Sequence, residues 1–133
     1  MENTTIIDGR RVASDRIAEL GEGEIFVFGS NMQGAHGGGA AWYAYKHFGA
    51  EWGVGEGLTG RTYALPTMEG MASMAAAVDR FTQCAREHPE LTFLVTAVGC
   101  GIAGYIPQQV APLFRDATRL ENVYLPQVFW ELL

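Results

Sequence analysis

The sequence predicts an α/β fold of three layers, with a mainly parallel central sheet and helices on both faces. Three observations carry that prediction. Glu24–Phe28 is a nearly all-apolar run bounded by glycines, and Leu91–Val98 is a second apolar run ending at Gly99. Short continuous apolar segments of this kind are the pattern of parallel strands buried on both faces. Each run leads into a glycine-rich loop and then into a stretch of helical composition. Between them, Met71, Met74, Val78, Phe81 and Ala85 recur in steps of three and four, with Asp79, Arg80, Gln83, Arg86 and Glu87 facing away. That spacing is an amphipathic helix over 71–87. Strands alternating with helices build parallel sheets covered on both sides.

The elements follow in order. Thr4–Asp8 reads as a short edge strand, and Val12–Leu20 as a short helix with Ala13, Ile17 and Leu20 on one face and Gly21 as its stop. Glu24–Phe28 is the first buried strand. Gly29–Gly39 is polar and glycine-rich and opens into a helix over 40–48. Gly49–Gly60 holds five further glycines without periodicity, the composition of a long loop, either a flap or a surface connection. Arg61–Leu65 reads as a strand closed by Pro66, and Met71–Glu87 is the long helix. Leu91–Val98 is the next strand, and its loop, Gly99–Tyr105, precedes a helix starting near Pro107 or Gln108. Pro112 requires that helix to be within about its first turn there. Asn122–Leu125 is a last strand, and Val128-Phe129-Trp130 lies in an apolar tail that could pack on the sheet or support self-association.

A chain of 133 residues fits one domain. The 17 glycines exceed the background frequency and are clustered, so their placement carries information. The formal charge is −6 and Lys46 is the single lysine, so the basic stripe of a nucleic-acid groove is missing. A small anion remains a possible ligand, because backbone N–H groups bind phosphates without cationic side chains. Cys84 and Cys100 do not have metal-ligand spacing, no Cys/His cluster suggests a metal, and no separate cofactor is implied. The N-terminal residues lack the pattern of a signal peptide, and no apolar run approaches the ~20 residues that span a bilayer. Reduced thiols and a cytoplasmic location without membrane association are the expectation.

Function concentrates in the two loops. In sheets of this class ligands bind at the carboxyl ends of strands, where both loops fall. The first reads Gly29-Ser30-Asn31-Met32-Gln33-Gly34-Ala35-His36-Gly37-Gly38-Gly39. Glycines directly before a helix allow close approach of the backbone and leave the first N–H groups and the positive dipole end facing a ligand. The second, Gly99-Cys100-Gly101-Ile102-Ala103-Gly104-Tyr105, matches the G-x-G-x-x-G string. It follows a late strand and has no acidic residue closing a following strand, as the dinucleotide fingerprint requires.

Together the loops resemble the ligand site of macrodomains, in which a strand ends in an asparagine-containing turn and a glycine run opens a helix. A later strand of that family ends in a small-x-Gly-Ile/Val-x-Gly-Tyr/Phe-Pro loop. Here Asn31 with Gly37-Gly38-Gly39 stands for the first, and Cys100-Gly101-Ile102-Ala103-Gly104-Tyr105 for the second, with Pro107 one place late. The likeness spans roughly Glu24–Leu125, although the specific motifs are the loops, and the chain is short for the family. It implies a compact or divergent macrodomain-like protein that binds ADP-ribose, a related nucleotide or an ADP-ribosylated macromolecule. Gly101–Tyr105 would give backbone N–H groups to the diphosphate, Gly37–Gly39 would close from the other side, and Gly29, Ser30 and Gly99 would complete the walls. Asn31 would lie near the distal ribose, with Tyr105 stacked on it. ADP-ribosyl hydrolysis is the activity the resemblance allows, with His36 and Asn31 as candidate catalytic residues. The acidic residue that many macrodomain hydrolases carry after the glycine run is replaced by Ala40-Ala41-Trp42-Tyr43. Glu51 and Glu56 could substitute from the next loop.

Two other functions fit the same residues. Cys100, flanked by glycines ahead of a helix, could act as a nucleophile with His36 as its base. A non-enzymatic interaction protein could use the aromatic tail on the same fold. His47 reads as packing and His88 as a helix-end residue.

Overall fold

The computed structural model describes residues 2–133. Its centre is a seven-stranded, mostly parallel sheet in the order β1-β2-β7-β6-β3-β5-β4. The strands are β1 (Thr4–Ile7), β2 (Arg10–Ala13), β3 (Glu24–Ser30), β4 (Gly57–Thr59), β5 (Thr62–Pro66), β6 (Thr92–Val95) and β7 (Val123–Pro126). Five of them, β2, β7, β6, β3 and β5, run parallel, and β1 and β4 are antiparallel edges. The helices are α1 (Gly39–His47), α2 (Met71–Glu87), α3 (Pro107–Val110) and α4 (Gln127–Trp130), with 3-10 turns at Ala111–Phe114 and Asp116–Arg119. The α/β class and the mainly parallel sheet are therefore present.

Strand alternation divides the core in two. Ile25 and Val27 of β3, with Phe93 and Val95 of β6, enter one apolar cluster with α2, α3 and α4. Phe26 and Phe28, with Leu94, enter the other beneath α1. Both faces of the central strands are thus covered, as their unbroken apolar runs demand. The α2 helix matches its spacing: Met74, Val78, Phe81 and Ala85 are buried. Its C-terminal carbonyls are closed by Asn122, whose Nδ2 donates to Ala85 O at 2.9 Å and His88 O at 3.0 Å. His88 is the residue at that helix end, and His47 stacks on Tyr43 at 4.3 Å.

Three expectations are corrected. Val12–Leu20 is not a helix: Arg10–Ala13 is a strand, followed by an irregular segment whose Ser14 Oγ accepts the Arg16 N–H. Asp8 (φ 51°) and Gly9 (φ 77°) form a two-residue turn that pairs Ile7 with Arg10. Asp-Gly favours this hairpin geometry, and Val12 then pairs in parallel with Leu125, so sheet pairing overrides the apparent helical spacing. The Gly49–Gly60 segment contains the strand β4, turned back onto β5. The helix after the second loop is one turn long and tightens into 3-10 geometry where Pro112 removes a donor. Of the two readings of the tail, packing is the one observed: Phe129 is fully buried, and Trp130 donates its indole N–H to Arg11 O at 2.8 Å. No helix among the described residues is long and apolar enough to cross a membrane.

Candidate functional site

The loops after β3 and β6 leave neighbouring strands toward opposite sides of the sheet. β3 continues through α1 to β5, and β6 continues through α3 to β7. Such a divergence opens a crevice beyond the carboxyl ends of the strands, where α/β folds place their ligands. A cavity of about 510 Å³ occupies that crevice, within the range of small-molecule sites.

Its walls come from three strand ends. β3 contributes Gly29 and Ser30, followed by Asn31, Ala35 and the Gly37–Ala41 segment. β5 contributes Thr67 and Met68 just beyond its end, and β6 leads to Ala97, Gly99 and Gly101–Ala103. The two glycine loops approach each other: a β-carbon on Gly38 would lie 3.8 Å from Ile102 Cδ1. Gly99 is required by its own backbone, with φ +78° and Met74 Cε 2.7 Å from where a β-carbon would sit.

The first loop is rigidly built. Asn31 Nδ2 donates to Ala35 O at 3.0 Å, and Asn31 Oδ1 accepts the Ala35 N–H at 3.1 Å. Both ends of the amide are therefore spent on the turn, although Asn31 also lines the cavity. Glu69 Oε2 accepts the Met32 N–H at 2.9 Å and ties the loop after β5 to it. From behind, Gly53 donates its N–H to Gly34 O at 2.9 Å. The Gly53–Gly60 segment thus braces the first loop and is no flap over the cavity. Of the two glutamates in the Gly49–Gly60 stretch, Glu56 pairs with Arg80 at 2.6 Å, and neither Glu51 nor Glu56 lines the cavity.

The backbone supplies the polarity. Among the described residues, the N–H groups of Gly37, Gly38, Gly39 and Ala40 at the start of α1 donate to no protein acceptor. Those of Gly99, Gly101, Ile102 and Ala103 likewise have none. Unpaired donors at a helix start and in a facing loop make an anion-binding concavity. None of the sixteen residues lining this cavity has a titratable side chain. The arrangement can hold an anion; it does not present a general acid or base at this point.

A second cavity of about 530 Å³ adjoins the first and shares Gly39, Ala40 and Ala97 with it. It is lined by Ile17, Phe26, Tyr43 and Val95, with Ser14, Asp15 and Thr96 as polar members. The two cavities meet at Gly39, Ala40 and Ala97: the first lies between the glycine loops and the ends of β3 and β5, and the second is a mostly apolar chamber that includes Phe26 of β3, Val95 of β6 and Pro126 of β7.

Of the residues singled out in the sequence, Gly29, Ser30, Asn31, Gly37, Gly38, Gly39, Gly99, Gly101, Ile102 and Ala103 line the cavity. Four others do not. His36 is fully buried, between Phe28 at 5.2 Å and Trp52 at 5.9 Å, with Nε2 2.9 Å from Glu51 O. Its ring fills the space under the first loop rather than facing a ligand, because the turn held by Asn31 directs the chain inward there. Cys100 packs against the apolar core, and burial pushes its thiol above the ordinary range. A thiol held neutral and not lining the cavity is unsuited to nucleophilic attack. Gly104 and Tyr105 lie beyond the lining, with Tyr105 partly buried against the core. Sequence reading missed Thr67, Met68 and the chamber around Asp15. Thr67 was accessible in principle, since it follows a strand of this parallel sheet, but no glycine run marks it.

The chain matches no family model, no curated protein and no solved structure.

Proposed function

We propose that this chain is a compact macrodomain-like protein that binds ADP-ribose or a closely related nucleoside diphosphate, free or attached to a macromolecule. The observation that carries the reading is the pair of loops whose unpaired backbone N–H groups line one cavity without any charged side chain. A diphosphate seats at Gly37–Gly39 and Gly101–Ala103, where helix-start donors and loop donors converge. The adjoining chamber, with Phe26 and Tyr43, offers apolar surface to a base, and Asp15 offers an acceptor to an exocyclic amine. Helices on both faces of a mainly parallel sheet agree with the three-layer architecture this reading expects.

The role is binding rather than hydrolysis. Neither Glu51 nor Glu56 stands in for the carboxylate missing after Gly39, His36 is enclosed in the core, and the lining of the cavity between the glycine loops carries no titratable side chain. Calorimetry with ADP-ribose, ADP, AMP and NAD tests the reading: saturable binding of ADP-ribose is expected, and silence with all four refutes it. Incubation with ADP-ribosylated protein is expected to give a complex without release of ADP-ribose. Steady release would overturn the assignment as a binder.

A further inference from the structure

The two edges of the sheet are not equally protected. β4 is three residues long, and Thr59 Oγ1 accepts the Glu51 N–H at 2.8 Å, so the chain at Glu51 lies against it. β1 has β2 as its one hydrogen-bonded neighbour among the described residues, and Ile6 and Ile7 stand 60% and 41% exposed. Proteins ordinarily blunt such an edge with lysine, proline, a bulge or a covering element. Thr4-Thr5-Ile6-Ile7 holds neither residue, pairs without a bulge, carries no charge and is strongly strand-forming in composition.

The register of the hairpin fixes which backbone groups this edge leaves free. Ile7 and Arg10 close the two-residue turn, and Ser14 donates its N–H to Asn3 O at 2.8 Å. Antiparallel ladders alternate bonded and non-bonded pairs, so Asn3, Thr5 and Ile7 direct their N–H and C=O groups to β2. Those of Thr4 and Ile6 point outward from the sheet. Arg11, opposite Ile6, agrees: its carbonyl is turned away from β1 and accepts the Trp130 indole N–H.

We infer that β1 is a self-association edge, which pairs antiparallel with β1 of a second copy of this chain about a two-fold axis at Thr5. The strand carries its own complement. Turned end for end, it lays Ile6 against Thr4 and Thr4 against Ile6, and the free N–H and C=O groups of each meet those of the other. Among antiparallel registers, this one alone satisfies all of them at once. Each Ile6 side chain lies beside Thr4 of the other copy on one face, and the two Thr5 side chains meet on the opposite face. A two-fold pairing uses up both edges, so it closes at two copies instead of growing into a fibre. Four residues a side bury less than the ~1,000 Å² of a lasting interface, so the dimer is weak and concentration-dependent. Glu2 and Asp8 of opposite copies meet at the ends of the pairing, and salt, which screens like charges, strengthens it. The axis is normal to the sheet, so the two clefts open in opposite directions and away from the contact. The inference is therefore independent of the nucleotide reading.

Sedimentation velocity on the full chain tests it across about a hundredfold range of concentration, since association follows mass action. The average mass is expected to climb toward twice that of one chain, with added salt moving the climb to lower concentration. Ile6→Pro removes an N–H turned away from β2, and Ile6→Lys sets a charge on the edge; both should stay single throughout. Thr5→Cys reads the register. Thr5 faces its own copy in a non-bonded pair with Cα atoms about 4.5 Å apart, within disulfide reach, whereas Ile7 and its copy are about 14 Å apart. Mild oxidation should link Thr5→Cys and not Ile7→Cys. Wild type, whose Cys84 and Cys100 are partly buried, gives the background. A wild-type chain that stays single at every concentration leaves the edge to a different strand and overturns the inference. So does a mass growing beyond two chains, a dimer that salt disperses or that survives the Ile6 substitutions, or equal linking of the two cysteine variants. If Ile6→Pro does not fold, Ile6→Lys decides.

Discussion

The glycines of the first loop divide into those the fold needs and those a ligand would need, and substitution separates them. Gly37 and Gly101 line the cavity, and a β-carbon on either meets nothing within 4 Å. Neither has a positive φ, so a side chain costs the fold little and even removes some unfolded-state freedom. Gly37→Val and Gly101→Val should therefore leave the unfolding midpoint nearly unchanged. Their side chains stand where a diphosphate would approach the N–H groups. Losing one hydrogen bond to a charged ligand costs about 1.5–3 kcal/mol, or roughly ten- to a hundredfold in affinity. Gly34 is the opposite case. Its φ is +67°, which costs a non-glycine residue about 1–2 kcal/mol. A β-carbon there would also strike the Gly53 carbonyl carbon and lie 2.5 Å from Val54 N, both backbone atoms that cannot swing aside. Gly34→Ala should destabilise by about 2–4 kcal/mol and lower the midpoint by roughly 8–16 °C for a chain of this size. Differential scanning fluorimetry reads the fold and calorimetry reads the ligand. A stable Gly37→Val protein that binds ADP-ribose as wild type does would place the ligand elsewhere and refute the reasoning.

Three further outcomes follow from the same geometry. His36→Ala empties a fully buried site between Phe28 and Trp52 and should cost about 2–4 kcal/mol in chemical denaturation, while a variant of unchanged stability that lost binding would return His36 to the ligand site. Burial raises the Cys100 thiol, so less thiolate is present at any pH below that raised value, and iodoacetamide should label it at pH 7 more slowly than a free cysteine, the rate rising only under alkaline conditions. Asp15→Ala, which removes the acceptor, should erase a preference for ADP over IDP, which lacks the exocyclic amine; a preference unaltered by the change would remove Asp15 from base recognition.

The parts of the fold legible in the sequence were those in which local pattern and tertiary demand agree. β3 and β6 carry continuous apolar runs because both of their faces are covered, and α2 shows its spacing because one face alone is covered. Val12–Leu20 misled because Ala13 and Ile17 are indeed buried, but through a strand and an irregular segment that share no helical axis. The Asp8-Gly9 turn signal was present in the chain and was the stronger clue. Burial of the tail is invisible in its composition, since an apolar C-terminal strip reads the same whether it faces solvent or the core. Its partner, the Arg11 carbonyl, lies far away in sequence.

The site was legible to the same extent and for a related reason. Glycine announces places where backbone must come close to something, and six glycines of the two loops do line the cavity. It does not say what the backbone approaches. Gly34 and Gly53 come close to each other, as the brace behind the loop, whereas Gly37 and Gly101 face open space. Side chains that complete a cavity carry no such mark. Thr67 differs from any other buried threonine by the end of the strand it occupies and by a hydroxyl bonded more weakly than its burial warrants. Chain order cannot express either property, because both depend on β3 and β5 lying side by side. The same holds in reverse for His36 and Cys100. Their residue types suggested proton transfer and nucleophilic attack, but enclosure removes the first from the cavity and raises the thiol of the second. The side chains lining the two cavities thus offer hydroxyls, one amide and the Asp15 carboxylate but no cationic group, which leaves the backbone N–H groups as the donors an anion would meet.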